Sequence, residues 1–358
     1  MIPLAPIEPF LCPPELPLRA VMERINRLAA PHLFQVVADG ERRFQGVVTD
    51  GDIRRAFLRG ATLETPVAEL MTRDAVTGRP GEDAVNARKL AGLHASSAFL
   101  ALIDDAGHVV GILAGQGPRA RVARALVMAG GYGRRLGEHT RNTPKPLLPV
   151  AGAPILARVL DHLEAAGVAE IWVAAHYLAD QVADFLARRA HKAEVRLIVE
   201  EAPLGTAGAL ARLPDSPDPV LVVNGDVLTD FDLAALAAFH DRHGHDATVA
   251  VARHEALVPY GVIHHDAAGS FLAIEEKPVI RNFVAAGIYY LSAAFAGLVA
   301  RDSPADMPDV LNAGRKLGLT VGLFPIHEYW LDVGRPEDLE SAELTRGAAP
   351  SDEPSEVE

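Results

Sequence analysis

A regular alternation of apolar strands and amphipathic helices begins at Arg124 and continues to Gly244. The strand segments are ALVMAG, EIWVAA, VRLIVE and PVLVVNGD, and the helix segments are PILARVLDHLEAAG, YLADQVADFLARR and DLAALAAFHDRHG. Strands separated by helices pair in parallel, because each helix carries the chain back across one face of the sheet. The pattern predicts an α/β domain with a mainly parallel sheet, helices on both faces, and ligands at the carboxyl ends of the strands.

A β-rich stretch follows this alternation. Its segments are ATVAVAR, YGVIHHD, SFLAIEEKP and FVAAGIYYL. They predict an insertion or a lid over one edge of the sheet.

The composition limits the classes of partner and compartment. The chain has 358 residues, enough for roughly two or three domains, and a formal net charge of −13, which argues against a general nucleic-acid binder. A single cysteine, Cys12, excludes an internal disulfide and favours the cytoplasm. No run of ~18 apolar residues is present, so we expect no membrane span. Residues 347–358 are acidic and are expected to form a disordered tail.

An internal repeat occupies the first third of the chain. Residues 34–49 align with residues 99–114, and each unit has the pattern of helix, strand, turn, strand and helix. Each unit is too small to bury its own apolar face, so we expect the two to pack as one α+β domain. The predicted organisation is a repeat domain at 1–117, a linker at 118–123 and an α/β domain at 124–346.

The segment GVVTDGDIRRAF at 46–57 resembles a tandem cystathionine-β-synthase (CBS) domain pair. In such pairs, residues at the positions of Thr49 and Asp52 bind the phosphate and ribose of an adenine nucleotide. The second repeat has Ala114 and Gly117 at the matching positions, so at most one such site is implied. The alternative is a CBS pair that has lost its ligand site and only assists folding or dimerisation. We also expect the protein to be a homo-oligomer.

Residues 126–150 combine a glycine loop with fixed cations. Gly130, Gly131 and Gly133 allow backbone N–H groups to approach a phosphate, and Arg134 and Lys145 add positive charge. A Walker loop requires Gly-Lys followed by Ser or Thr, and a dinucleotide fingerprint requires a third glycine or alanine. The chain lacks both features in this segment.

The same segment is similar to the signature of sugar-1-phosphate nucleotidylyltransferases, in which Gly-Gly-x-Gly-x-Arg-Leu precedes Pro-Lys-Pro-Leu. The resemblance implies a Rossmann-like, GT-A-like sheet and a nucleotidyl transfer of the EC 2.7.7 class. It implies that Arg134 and Lys145 contact the triphosphate, and that Met128 and Ala129 join the glycines in binding the nucleotide.

Two aspartates match the magnesium ligands of that family. Asp226 ends the segment PVLVVNGD, and Asp332 lies in YWLDVG. Mg²⁺ takes one or two carboxylates together with phosphate oxygens and water, so this pair suits a metal shared with the substrate. The resemblance therefore implies Mg²⁺ as the cofactor.

The sugar-phosphate site is implied by a later motif. Glu276 and Lys277 match the family's Glu-Lys-Pro, in which the lysine neutralises the sugar phosphate and the glutamate accepts hydrogen bonds from sugar hydroxyls. Tyr260 and Gly261 match a step that lines the same pocket, and Asn282 is a further candidate.

The segment EEAPLGTAGAL at 200–210 resembles the segment that binds the nucleotide base in this family. Its Pro-Leu-Gly-Thr-Ala-Gly form is typical of guanylyltransferases, which favours GTP and assigns Glu200, Gly205 and Thr206 to the nucleotide. The expected acceptor is a hexose, heptose or amino-sugar 1-phosphate. The alternative is a nucleotide-sensing or scaffold protein with an inactive transferase domain.

Overall fold

The computed structural model describes residues 2–28, 32–93, 98–115, 121–301 and 303–347. Residue 117, half of the predicted linker (118–120) and nearly all of the predicted acidic tail lie outside these ranges. The strands are β1 (Ile2–Leu4), β2 (Leu11–Cys12), β3 (Phe34–Ala38), β4 (Phe44–Thr49), β5 (Phe99–Ile103), β6 (Val109–Ala114), β7 (Arg124–Met128), β8 (Pro149–Val150), β9 (Ala153–Pro154), β10 (Glu170–Ala175), β11 (Glu194–Val199), β12 (Val220–Asn224), β13 (Val227–Thr229), β14 (Ala247–Leu257), β15 (Gly261–His265), β16 (Phe271–Glu276), β17 (Val279–Leu291), β18 (Val321–Ile326) and β19 (Trp330–Asp332). The helices are α1 (Leu18–Leu28), α2 (Asp50–Leu58), α3 (Asp83–Ala91), α4 (Ile155–Ala165), α5 (Ala179–Arg188), α6 (Leu233–His243), α7 (Ala293–Ala296), α8 (Met307–Lys316) and α9 (Pro336–Gly347).

The main sheet has seven strands in the order β11-β10-β7-β12-β17-β14-β18. The pairs β11–β10, β10–β7, β7–β12 and β14–β18 are parallel. Strand β17 runs antiparallel to both of its neighbours, β12 and β14. The predicted mainly parallel α/β sheet is therefore confirmed, with β17 as the reversed strand.

Side chains of β7 show why the strand segments are apolar without interruption. Ala125 and Val127 pack into the cluster under α4 and α6, and Leu126 packs into the cluster under α7 and α8. Successive side chains of a strand point to opposite faces, so a sheet covered on both faces requires apolar residues at every position.

The two repeats form matching hairpins. Phe34 pairs with Thr49 in β3–β4, and Phe99 pairs with Ala114 in β5–β6. The Phe34 and Phe99 rings stack with their centroids 3.6 Å apart, so the repeats share one apolar contact at equivalent positions. The predicted strand, turn and strand of each repeat are present, and the helix expected after the second repeat falls partly on residues outside the described ranges.

The predicted β-rich insertion is also present. Strands β14 and β17 extend beyond the sheet as a two-stranded arm, and β15 and β16 pair only with each other in the described part of the chain. All side chains of β16 are exposed. No helix among the described residues is both long and apolar enough to cross a bilayer.

Candidate active site

The glycine loop starts where β7 ends. The N–H of Ala129 donates a 2.7 Å hydrogen bond to the carbonyl of Ala174 in β10, which fixes Met128 and Ala129 at the carboxyl edge of the sheet. At Gly130 a Cβ would lie 3.2 Å from Oε2 of Glu200 and 3.4 Å from the backbone nitrogen of His176. The loop therefore passes close over β10 and β11, as its glycines permit.

Gly225 brings Asp226 to the start of this loop. Its N–H donates a 2.8 Å hydrogen bond to the carbonyl of Met128. A Cβ at Gly225 would lie 2.9 Å from that same carbonyl oxygen, so a larger residue would push the two segments apart. The Asn-Gly-Asp turn after β12 therefore depends on glycine to reach the loop.

Asp332 lies at the end of β19, close to the C-terminal end of the domain. Strand β19 pairs antiparallel with β13, with Asp332 opposite Val227, and the N–H of Val333 donates a 3.1 Å hydrogen bond to the carbonyl of Asp226. Two aspartates more than a hundred positions apart are thus held by one short ladder of backbone hydrogen bonds.

Lys145 joins the two carboxylates. Its Nζ donates to Oδ2 of Asp226 and lies 3.8 Å from Oδ1 of Asp332, and the side chain is buried. Gly133, with φ of 63°, packs against it, because a Cβ there would lie 3.1 Å from Cβ of Lys145. The predicted loop, lysine and aspartates therefore form one cluster.

The donor set of this cluster fits a divalent cation. Oδ1 of Asp226 and Oδ1 of Asp332 are buried and have no hydrogen-bond partner among the described residues. Burial raises the pKa of Asp332, and the neighbouring Asp226 raises it further. A hard cation would supply the missing partner and relieve the repulsion. No group of three or more His, Cys, Asp or Glu side chains that could hold a metal occurs in the described ranges, so water or substrate oxygens would have to complete the coordination.

The arginine that faces this cluster is Arg135, which the sequence analysis missed. Arg134 and Arg135 are both exposed, and the guanidinium of Arg134 lies 5.0 Å from the ring centroid of Tyr132. The guanidinium of Arg135 instead lies against Gly334, where a Cβ would be 3.4 Å from Nη2, and it lowers the pKa of Asp332 against the effect of burial. The motif itself contained the signal, since its arginine directly precedes leucine, and here Arg135 precedes Leu136. The geometry places Arg135 beside the aspartate cluster, and the triphosphate contact of Arg134 stays a prediction.

The predicted base-binding segment, residues 200–210, contacts the residues at the start of α8. Gly205 has φ of 77°, and a Cβ there would lie 2.6 Å from the carbonyl of Ala305. The Thr206 hydroxyl donates to Asp306 at 3.2 Å and accepts from the N–H of Met307 at 2.8 Å. Its hydrogen is therefore used within the protein, and the assignment of Thr206 to the nucleotide stays a prediction.

Glu200 lies beneath the loop. Its Oε2 accepts from the N–H of Leu204 at 3.2 Å, and its Oε1 is buried without a hydrogen-bond partner in the described part of the chain. Burial raises the pKa of this carboxyl group. Gly131, by contrast, is exposed, and a Cβ there would meet nothing within 4 Å, so this is the open side of the loop.

The predicted sugar-phosphate residues gather on the β15–β16 hairpin. Gly261 is opposite Glu276, and a Cβ at Gly261 would lie 3.1 Å from Oε2 of Glu276. The N–H of Lys277 donates a 3.2 Å hydrogen bond to the carbonyl of Tyr260, and Lys277 has φ of 48°. All four are adjacent to one another, and three are exposed: Tyr260, Glu276 and Lys277.

Asn282 is separate from that hairpin group. It lies on β17 opposite His254 and lines a cleft of about 960 Å³ between the two modules, together with Phe57 and Trp330. The structure does not place it with Glu276 and Lys277.

The predicted CBS ligand site is closed. The Thr49 hydroxyl donates to Oδ2 of Asp52 at 2.7 Å, and the two residues cap α2. Nη1 of Arg242, from α6 of the α/β domain, lies 3.4 Å from Oγ1 of Thr49. The adjoining cavity of about 30 Å³ has room for about one water molecule and not for a nucleotide.

Comparison with known proteins agrees with this geometry. The family model described as Nucleotidyl transferase matches residues 124–347, and the CBS domain model matches residues 5–59. The resemblance to both families is thereby confirmed.

Two curated relatives are mannose-1-phosphate enzymes. The mannose-1-phosphate guanylyltransferase catalytic subunit beta of Drosophila pseudoobscura pseudoobscura is 36% identical over 224 residues, which are 60% of this chain and 60% of that protein. The mannose-1-phosphate guanyltransferase of Schizosaccharomyces pombe is 32% identical over 225 residues, which are 60% of this chain and 62% of that protein. The chain thus matches about three fifths of the length of these relatives.

A solved structure is similar over the same part. The crystal structure of HddC from Yersinia pseudotuberculosis aligns with a TM-score of 0.50 and 26% identity, and covers 63% of this chain and 99% of that one. Since the matched residues 124–347 make up more than half of the sequence and contain the whole loop, lysine and aspartate cluster, the chain belongs to the nucleotidyl transferase family.

Proposed function

We propose that the protein is a sugar-1-phosphate guanylyltransferase. It transfers GMP from GTP to a hexose, heptose or amino-sugar 1-phosphate and releases pyrophosphate. The observation that carries the proposal is the position of Lys145 between Asp226 and Asp332 beside the glycine loop. The names of the relatives support guanine and a sugar 1-phosphate, and the HddC structure described as complexed with GMP-PN supports guanine.

The reaction is an in-line displacement at the α-phosphorus of the nucleotide. An oxygen of the sugar 1-phosphate forms the new bond to phosphorus, and the bond from phosphorus to the pyrophosphate oxygen breaks. The attacking phosphate needs no general base, because its second pKa is about 6 and it is already an anion at neutral pH. The protein therefore acts by positioning two anions and stabilising the charge on the leaving group.

Different residues of the cluster would stabilise the phosphate charge and hold the metal ion. Lys145 and Arg135 place positive charge beside the two carboxylates, where the phosphates of the nucleotide would lie. Mg²⁺ held by Asp226 and Asp332 would neutralise phosphate charge when bound. The loop glycines leave backbone N–H groups accessible to the same phosphates.

The sugar 1-phosphate would bind on the hairpin. Lys277 neutralises its phosphate, and Glu276 accepts hydrogen bonds from sugar hydroxyls beside Tyr260 and Gly261. Support comes from their adjacency in the structure and from the open exposure of Glu276 and Lys277.

Regulation and location extend the same proposal. An adenine nucleotide at Thr49 and Asp52 would require Arg242 and α6 to move away, because they close that half-site. A cytoplasmic location accords with the single cysteine, Cys12, which is free and buried. A homo-oligomer is part of the same proposal.

The test is pyrophosphate release across a grid of GTP, UTP, CTP and dTTP against mannose, glucose, heptose and glucosamine 1-phosphates. We expect GTP to give the highest kcat/KM with at least one acceptor. Asp226→Asn should abolish metal-dependent turnover, and Lys277→Ala should raise KM for the sugar phosphate more than KM for GTP. No turnover with any pair would favour a scaffold protein.

A further inference from the structure

A charged side chain of the CBS-like module is completely enclosed at the boundary with the transferase domain. Arg54 of α2 is 1% exposed. Its Nε bonds to Asp50 at 2.7 Å, and its Nη2 bonds to Glu328 at 2.8 Å. The guanidinium also donates to the carbonyl of Pro325 and lies 3.9 Å from the ring centroid of Phe324.

Glu328 belongs to the segment that leads to the metal site. It lies between β18 and β19, and Asp332 follows four residues later. The carbonyl of Tyr329 accepts from Oγ1 of Thr229 at 2.9 Å and from the N–H of Asp230 at 3.2 Å. The segment is thus fixed by Arg54 at one end and by β13 at the other.

The Asp332 side chain has little support of its own. Its Oδ1 has no hydrogen-bond partner in the described ranges, and the nearest cation, Nζ of Lys145, is 3.8 Å away. Its position therefore follows from the backbone of β19. Any movement of the segment before β19 would change the distance from Asp332 to Asp226.

The ion pair is suited to hold that backbone firmly. Burial alone would raise the pKa of Glu328, but Arg54, together with His327 and a backbone hydrogen bond, outweighs burial and lowers the pKa to about 2. A buried carboxylate without its arginine would have to take up a proton or move toward water. In either case the segment before β19 would lose the charged contact that holds Glu328 against α2.

We propose that Arg54 is a positioning residue for the metal site: through Glu328 it fixes the segment that carries Asp332. The CBS-like module would thereby set the separation of the two metal-binding carboxylates, whether or not it binds a ligand. This inference rests on the proposed function only in taking Asp226 and Asp332 as the metal ligands.

The experiment measures Mn²⁺ binding to the full chain, from the electron paramagnetic resonance signal of the free ion, without substrates or turnover. We expect Arg54→Met and Glu328→Gln each to weaken Mn²⁺ binding at least tenfold. In the same two variants, the Mg²⁺ concentration that gives half-maximal turnover should rise. Arg54→Lys should bind Mn²⁺ better than Arg54→Met, since it keeps the charge beside Glu328.

The matched control is Ile25→Ala. Ile25 is buried in the apolar core of the CBS-like module and is not a partner in the Arg54 ion pairs, so this variant lowers stability without removing a charged group from them. It should bind Mn²⁺ within twofold of the wild type. If Arg54→Met does not fold, Glu328→Gln, which keeps the side-chain volume, decides the question.

Two results would overturn the inference. One is wild-type Mn²⁺ binding in both Arg54→Met and Glu328→Gln, and the other is an equal loss in Ile25→Ala. The proposed function is judged separately: wild-type Mn²⁺ binding in Asp226→Asn would refute the metal assignment itself, and the inference with it.

Discussion

The backbone N–H of Val333 donates a 3.1 Å hydrogen bond to the carbonyl of Asp226. This bond joins the residue after one candidate metal ligand to the other ligand, across the β13–β19 pair. The separation of the two carboxylates is therefore set by main-chain geometry. Substitutions of the two aspartates themselves should change charge and reactivity more than they change this frame, whereas substitutions of Arg54 and Glu328 should act on the frame.

The two arginines of the glycine loop should differ in importance. Arg135→Met should lower kcat/KM for the nucleotide about 100-fold, the usual effect of losing one group that stabilises transition-state charge. Arg134→Met should lower it by less than about fivefold, since that side chain stacks on Tyr132. Steady-state kinetics of both variants measure the difference, and a larger loss in Arg134→Met would restore the original assignment.

Gly225 should be intolerant of a side chain. Gly225→Ala should lower the free energy of unfolding by about 1–3 kcal/mol, because its Cβ would lie 2.9 Å from the carbonyl oxygen of Met128. The control is Gly131→Ala, where a Cβ meets nothing within 4 Å and the expected change is within about 0.5 kcal/mol. Denaturant unfolding of both variants gives the comparison, and equal losses would contradict it.

Stability should fall in mild acid because of His240. Burial lowers the pKa of His240 to about 4, and in the unfolded chain the imidazole titrates at its ordinary value near 6.5. The unfolded chain binds more protons between these values, so the contribution is complete above pH 6.5 and is lost as the pH falls to 4. The loss amounts to about 3 kcal/mol.

Unfolding of His240→Gln as a function of pH checks this expectation. The variant should lose part of the decline in stability between pH 6.5 and 4. His264→Gln, on the exposed hairpin, should retain the wild-type decline. An unchanged pH dependence in His240→Gln would refute the role of His240.

The closed CBS half-site should open when Arg242 is removed. Arg242→Ala should bind AMP at least tenfold more tightly than the wild type in calorimetric titration, because the guanidinium lies 3.4 Å from the Thr49 hydroxyl. Adding Asp52→Asn to Arg242→Ala should abolish the gain, since the carboxylate acceptor is lost. Equal affinity in Arg242→Ala and the wild type would mean that this half-site takes no adenine nucleotide.

The sheet could be predicted because its signals are local, and Lys145, Asp226 and Asp332 could be named because each lies in a short motif of the family that the sequence resembles. The apolar run of β12 and the turn to Asp226 lie within a few residues of each other, and the alternation of strands and helices sets the sheet edge where ligands gather. The repeat offset that pairs Phe34 with Phe99 likewise follows from the sequence itself.

Other features depend on partners that no local pattern specifies. The Thr206 hydroxyl is occupied by Asp306, which lies 100 positions away, and Arg54 meets Glu328 across 274 positions. An arginine on a helix is ordinarily expected to face water, so its burial could be found only in three dimensions. The choice of Arg134 over Arg135 had a different cause. It did not depend on distant partners, because the motif places its arginine directly before leucine, and Arg135 precedes Leu136.

The enclosure of Arg54 has a thermodynamic consequence for the whole chain. A transferase fragment without α2 would expose the ring of Phe324 and leave the carboxylate of Glu328 without its arginine. Folding of each module therefore supplies part of the interior of the other. The chain should lose its structure in one cooperative calorimetric transition, with an enthalpy that neither module would show alone.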